Sequence, residues 1–220
     1  MSLDPAVLPL IADWFLHNRR DMPWRTDPTP YHVWVSEIML QQTRVDTVRP
    51  YYERFMRVLP GIDALASCPE DLLLKLWEGL GYYSRARHLQ EAAAIIRDRY
   101  HGEVPSGYSE LVALPGIGSY TAGAILSIAY HLPVPVVDGN VLRVVSRITG
   151  STDNIRDAAV RKRMERELAE LLPGAGLDPS VVNQGLMELG ALVCVPGGPP
   201  ACGRCPVSAR CTAFREGLTD

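Results

Sequence analysis

Three groups of residues in this 220-residue chain have the types and spacing to do chemistry. Cys194, Cys202, Cys205 and Cys211 crowd one short segment, separated by seven, two and five residues. Outside an oxidising compartment, such crowding points to metal before disulfide. Leu114-Pro-Gly-Ile-Gly118 reads as a tight hairpin between helices, with Gly116 and Gly118 taking backbone angles that other residues resist. The amides after Gly118 then point out of a helix start, an anion site suited to phosphate. The third group is a pair of carboxyls. Glu37 is the only ionisable residue from Val33 to Leu40, set among Trp34, Val35, Ile38 and Met39. Desolvation there raises a carboxyl's pKa and suits a general acid at neutral pH. Asp138 precedes Gly139 and a further helix, where it can accept amide hydrogen bonds as an anion. An acid and an anionic stabiliser beside a phosphate grip point to chemistry on a nucleic acid.

Each of these has a plainer alternative. Glu37 could lie on an exposed helix edge, where most glutamates lie. Asp138 could be a simple N-cap, although Val141 stands where a capping box would place Glu or Gln; Asn140 is placed to hold Asp138. The Gly116-x-Gly118 pair is no dinucleotide fingerprint, because Thr121 replaces the third glycine and no strand precedes it. A structural zinc site competes for the cysteines, although zinc folds more often use two Cys-x-x-Cys knuckles and this chain has one.

The elements that must position these residues read as helices throughout. Asp4-Pro5 caps a helix over 5–17, marked by Val7, Leu8, Ile11, Trp14 and Phe15. Arg19 to Arg25 reads as a loop. Helices are predicted over 31–42, 46–59, 63–67 and 70–78, with Tyr51, Tyr52, Phe55 and Val58 as the inner face of the second. Gln41-Gln42-Thr43 closes the first; its amides could replace base-pairing partners in a duplex or simply form a polar helix end. Gly79 to Tyr83 is a turn with two aromatics. Ser84 caps a helix over 85–100, whose Arg85, Arg87 and His88 make a basic start suited to a phosphate backbone. Over 157–172, Val160, Met164, Leu168, Leu171 and Leu172 face inward while Arg161, Lys162, Arg163 and Arg166 face outward, the usual pattern of a solvated face. Pro179 opens the last long helix, which carries Asn183, Gln184, Met187 and Glu188. No strand pattern, repeat or low-complexity segment appears, so the fold class is all-α.

Hydrophobic residues make up 47% and charged residues 21%, an ordinary globular balance. The length allows one domain or two small ones. No apolar run is long enough to span a membrane, and no secretory signal opens the chain, so the cytoplasm or nucleoid is the expected location. Net charge is −3. A basic domain is the usual footprint of a nucleic-acid binder, so binding would fall to a local basic face.

With these residues in place, a resemblance becomes visible. Leu114-Pro-Gly-Ile-Gly118 with Val137-Asp138-Gly-Asn140 resembles the helix-hairpin-helix DNA glycosylases, the family of endonuclease III and MutY. The stretch Pro30-Tyr-His-Val-Trp-Val-Ser-Glu-Ile-Met-Leu-Gln-Gln-Thr43 is similar to the MutY branch more narrowly. The resemblance runs from about Trp14 to Cys211. It implies a bilobal fold: a helical barrel lobe over 23–133, and a second lobe of 1–22 with 134–220 whose segment 194–211 carries a 4Fe–4S cluster. The first cysteine gap is one residue longer than the family's.

The resemblance further implies a monomeric enzyme on double-stranded DNA that holds a mismatch or an oxidised guanine, acting between the lobes. It would flip out an adenine opposite 8-oxoguanine or guanine and hydrolyse its N-glycosidic bond. Glu37 would protonate the base, Asp138 would stabilise the sugar cation, and Asn140 would hold Asp138. Trp24 and Arg25 would line the base pocket, with Gln184 a further substrate contact. Gln41, Gln42, Gly116 and Gly118 would contact DNA, and Tyr82 would wedge into it unless it is a core tyrosine. Tyr120 stands where the strand-cleaving relatives have lysine, which implies base removal without strand cleavage. Members of the MutY branch continue into a further domain that helps read oxidised guanine, and this sequence stops at Asp220. A relative that removes thymine opposite guanine and a non-catalytic DNA-binding cluster module both stay open.

Overall fold

The structure is a computed structural model and describes residues 2–219. Among these the chain forms thirteen α-helices, one π-helical turn and three short 3-10 turns, with no strand. None of these helices is long and apolar enough to cross a membrane. The chain divides into two compact units: one holds residues up to Arg20 and from His131 onward, the other Asp21–Tyr130.

The Asp21–Tyr130 unit contains α2 (Pro23–Thr26), α3 (Pro30–Leu40), α4 (Val45–Val58), α5 (Ile62–Ala66), α6 (Glu70–Trp77), α7 (Ser84–Arg99), α8 (Tyr108–Val112) and α9 (Ser119–Ala124), which runs into the π turn Ile125–Ala129. Its centre is α3. Thr29 caps α3 by accepting from the His32 N–H at 3.2 Å, and Pro30 occupies the first turn, where a missing N–H costs nothing. Residues Tyr31 and Val33–Met39 of α3 are buried, and the helix packs against α4, α7, α9 and the π turn. Trp34, Trp77 and Phe55 are fully enclosed, the last two meeting edge to face at 6.2 Å.

The other unit contains α1 (Val7–Asn18), α10 (Gly139–Thr149), α11 (Ala158–Leu171), α12 (Pro179–Leu192) and α13 (Thr212–Arg215). Here α12 is central. A Cβ at Gly185 would come within 3.0 Å of Ile11 on α1, and one at Gly190 within 2.5 Å of Asn140 on α10. These two glycines therefore let both neighbours approach the α12 backbone.

Several expectations need correction. The segment expected as a loop up to Arg25 contains the one-turn helix α2. Ser84 lies inside α7, and Tyr83 precedes it with no side-chain cap. Asp4 does bond the Ala6 N–H at 3.0 Å, but α1 starts only at Val7. On α4 the inner face is Val48, Tyr52 and Phe55 and continues four residues on to the buried Leu59, which leaves Val58 exposed. Leu171 of α11 is half-buried, and Arg161 is withdrawn from the solvated face because its guanidinium donates to the Val137 carbonyl.

One buried ion pair closes the α1 side of its unit. Glu188 on α12 is 2% exposed and accepts three bonds of 2.9 Å from Arg20: backbone N–H and Nε to Oε1, and Nη2 to Oε2. Removing the guanidinium takes two of these three bonds from a buried carboxylate. Arg20→Ala is expected to cost about 2–3 kcal/mol, less than a fully enclosed pair because the Arg20 side chain is partly exposed. A thermal melt should show a fall in Tm of roughly 5–10 °C.

Candidate nucleic-acid and catalytic site

The Asp21–Tyr130 unit carries Glu37 at the inner side of α3, 9% exposed. The exposed-edge alternative is thereby removed. Immediately after Glu37's helix, Gln41 caps α3 half-buried and Gln42 turns into the left-handed region at φ +58° with its side chain in solvent. Gly79 and Gly81 also take positive φ, and Tyr82 follows at φ +49°. Tyr82 is 61% exposed, so it is not a core tyrosine. Trp24 is buried and packs edge-on against Tyr52 at 5.3 Å, while Arg25 beside it is half-buried.

The basic start of α7 is not a free phosphate-binding face. Arg85 turns inward, and its guanidinium donates to backbone carbonyls at the end of α3 and in the Gly79–Tyr82 turn. Arg87 pairs with Glu70 at 2.7 Å. The hairpin is present between α8 and α9, but its two glycines are not equivalent. Gly116 has φ +74°, and a Cβ there would lie 2.9 Å from the Cβ of His88. Gly118 has φ −92°, and a Cβ there would meet nothing within 4 Å, so it needs no glycine. Gly118 and Ser119 are exposed at the start of α9, and Tyr120 is half-buried in its first turn.

In the other unit Asp138 does cap α10. Its Oδ1 accepts from the Val141 N–H at 2.8 Å and its Oδ2 from the Asn140 amide at 2.7 Å. Asn140 in turn accepts from Arg143 at 2.8 Å, and Arg143 donates to the carbonyls of Gly190 at 2.8 Å and Cys194 at 2.7 Å. Burial pulls the Arg143 pKa down. The extended segment leading to Asp138 is fixed by Asn183, which is fully buried. Its amide accepts from the Val136 N–H at 3.0 Å and donates to the Val134 carbonyl at 2.9 Å. From sequence Arg143 carried no expected role, Asn183 was only placed on its helix, and Arg161 was expected on a solvated face. The available signal was an amide set between Val182 and Leu186 on the buried face of α12. Gln184, one position on, is half-buried and donates to the Ser180 hydroxyl at 3.0 Å.

The four cysteines line one pocket, walled by Val144, Ile148, Leu189, Val193 and Val207. Arg147 donates to the Cys194 sulfur at 3.3 Å, and the Cys211 thiol to the Arg147 carbonyl at 3.3 Å. Burial pushes the Cys205 thiol up to about 11, and burial with neighbouring thiols raises Cys202 and Cys211. Thiolates in such a pocket need a compensating cationic group, which deprotonates the sulfurs it binds. Among the described residues, no three His, Cys, Asp or Glu side chains converge so as to hold a metal ion. Four sulfurs around one pocket are a donor set that suits a thiolate-bound group.

Residues 35–173 match the HhH-GPD superfamily base excision DNA repair protein family. The chain belongs to this superfamily. It is 40% identical over 205 residues to the adenine DNA glycosylase of Buchnera aphidicola subsp. Baizongia pistaciae (strain Bp), covering 93% of this chain and 57% of that protein. To the Homo sapiens adenine DNA glycosylase it is 42% identical over 212 residues, 92% of this chain and 38% of that protein. The chain thus spans less than two thirds of the length of these curated relatives. Among solved structures, a thermostable thymine-DNA glycosylase matches with a TM-score of 0.85 and 28% identity, covering 96% of each chain. A non-covalent endonuclease III–DNA complex matches in fold with a TM-score of 0.79 and 23% identity, covering 99% of this chain and 100% of that one.

The hairpin geometry separates its two glycines experimentally. Gly116→Ala is expected to cost about 1–3 kcal/mol, from left-handed strain and the clash with His88. Gly118→Ala should cost under about 1 kcal/mol, the difference between glycine and alanine at an N-cap. Urea unfolding midpoints of the two variants measure this directly.

Proposed function

We propose that the chain is a monofunctional adenine DNA glycosylase acting on adenine opposite 8-oxoguanine or guanine in double-stranded DNA. The observation that carries this reading is the burial of Glu37, a carboxyl enclosed in α3 of a base excision repair fold. Protonating a purine ring nitrogen needs an acid, and burial favours the protonated form of a carboxyl. The similarity to adenine glycosylases across 93% of the chain supports the choice of base.

In this mechanism the Glu37 carboxyl gives its proton to adenine, and the C1′–N bond breaks with its electron pair leaving on the base. The Asp138 carboxylate faces the positive charge that develops on the sugar. Water then bonds to C1′, and its proton restores the Glu37 acid. Asn140 and the Val141 N–H hold Asp138 in orientation for that task. Tyr120 carries no amine, so the Schiff-base route to strand cleavage has no nucleophile at that position.

Glu37→Gln and Asp138→Asn are each expected to lower single-turnover adenine release by about 10²–10⁴-fold while duplex binding changes little. Asn caps a helix as well as Asp, so Asp138→Asn separates the chemical role from the structural one. Product strands should break only after alkali. The likeness to a thymine-DNA glycosylase favours one competing reading. Release of thymine opposite guanine without release of adenine would establish that reading and overturn ours.

We further infer that Cys194, Cys202, Cys205 and Cys211 hold a 4Fe–4S cluster, supported by four thiols around one apolar pocket. Cys194, just past α12, and Cys202, Cys205 and Cys211 in the C-terminal turns would hold it, and it would supply a structural cross-link there. The purified protein should be brown with broad visible absorbance that acid bleaches; a colourless protein with stoichiometric zinc would replace the cluster with a zinc site.

A further inference from the structure

Arg85 carries the furthest inference. Its Nη1 donates to the carbonyls of Ile38 at 2.8 Å, Met39 at 3.2 Å and Gln41 at 2.5 Å. Its Nη2 donates to the carbonyls of Leu80 at 3.2 Å and Gly81 at 3.3 Å. The guanidinium carbon lies 5.5 Å from the ring centroids of both Trp77, which is fully buried, and Tyr82, which is exposed. One planar cation thus joins two separate turns. Each turn presents one exposed side chain from a left-handed backbone position, Gln42 at φ +58° and Tyr82 at φ +49°. Non-glycine residues persist there only when their surroundings over-determine them.

We propose that Arg85 is a positioning residue for base extrusion: it clamps the Gln41–Gln42 turn to the Gly79–Tyr82 turn, so that Gln42 and Tyr82 meet the duplex as one rigid pair. This rests on the reading of the chain as a DNA glycosylase. The clamp needs a fork of donors. An ammonium is a point charge that cannot span both turns and stack on both rings, so lysine keeps the charge and loses the function.

The test uses the full chain and a duplex with adenine opposite 8-oxoguanine and fluorescent 2-aminopurine beside the target. Wild-type binding should raise the fluorescence as neighbouring bases unstack, and single-turnover adenine release should follow. Arg85→Lys is expected to lower the release rate about 10–100-fold and to reduce the fluorescence rise. Added to Tyr82→Ala, Arg85→Lys should cost little more, because both remove the same pair. A merely structural arginine would lower Tm, leave the fluorescence amplitude of the folded protein unchanged, and give losses that multiply. That result, or wild-type behaviour in Arg85→Lys, overturns the proposal. If Arg85→Lys fails to fold, Gln42→Ala and Tyr82→Ala test the clamp with Arg85 intact: coupled losses support it and independent losses overturn it. A wild-type fluorescence rise without adenine release sinks the adenine-glycosylase reading while the cycle in fluorescence still tests the clamp. No rise in the wild type overturns the clamp as well.

Discussion

A helix buried on most of its surface must still satisfy the carbonyls at its C-terminal end, and in α3 that task falls to one guanidinium. Ile38, Met39 and Gln41 offer carbonyls that the helix cannot bond internally, and Arg85 takes all three. Without that cation, burying α3 would strand acceptors away from water at a cost of about 1–3 kcal/mol each. With it, α3 can end abruptly inside its unit, and the chain can turn at Gln42 straight out to solvent. The enclosure of Glu37 follows from the same arrangement, since α3 lies within a shell of α4, α7, α9 and the π turn.

The other unit solves the opposite problem, the open amides of a helix start. Asp138 satisfies one of them, and its second oxygen is taken by Asn140. An anion held by an amide N–H and an amide side chain is fixed in direction without being neutralised. Arg143 completes the support by tying Asn140 to the Gly190 and Cys194 carbonyls, so the orientation of Asp138 and the path of the backbone into the cysteine segment share one cation. Gly190 is required for this, because any larger residue would push α12 off Asn140.

The helical architecture was legible because apolar spacing marks α1, α3 and α11, and of the caps read from sequence Asp138 holds its place while those at Asp4 and Ser84 do not. Asp138 and the cysteine group were visible from spacing alone, while the expected burial of Glu37 rested on its apolar neighbours. The inward arginines were not legible. Arg85 sits in Ser-Arg-Ala-Arg-His, a run indistinguishable from a solvated or phosphate-facing surface, and its acceptors come from positions up to 47 residues away. Gly118 misled for the complementary reason: glycine marks where a side chain is absent, and the structure must say whether one was forbidden. Asn183 likewise bonds a segment 47 residues distant that has no periodic pattern of its own.

The distribution of arginine makes net charge a poor guide to the surface of this chain. Arg20, Arg85, Arg143, Arg147 and Arg161 spend hydrogen bonds on carboxylates, carbonyls or a cysteine sulfur within their own unit. Formal net charge therefore measures internal support as much as surface potential. On the proposed glycosylase reading, phosphate would be met by the exposed backbone at Gly118 and Ser119, whose amides carry partial charge without carrying a full one. Such a grip depends on the hairpin's shape rather than on lysine density. The left-handed Gly116 that turns the chain toward α9 then matters more to it than the overall balance of acids and bases.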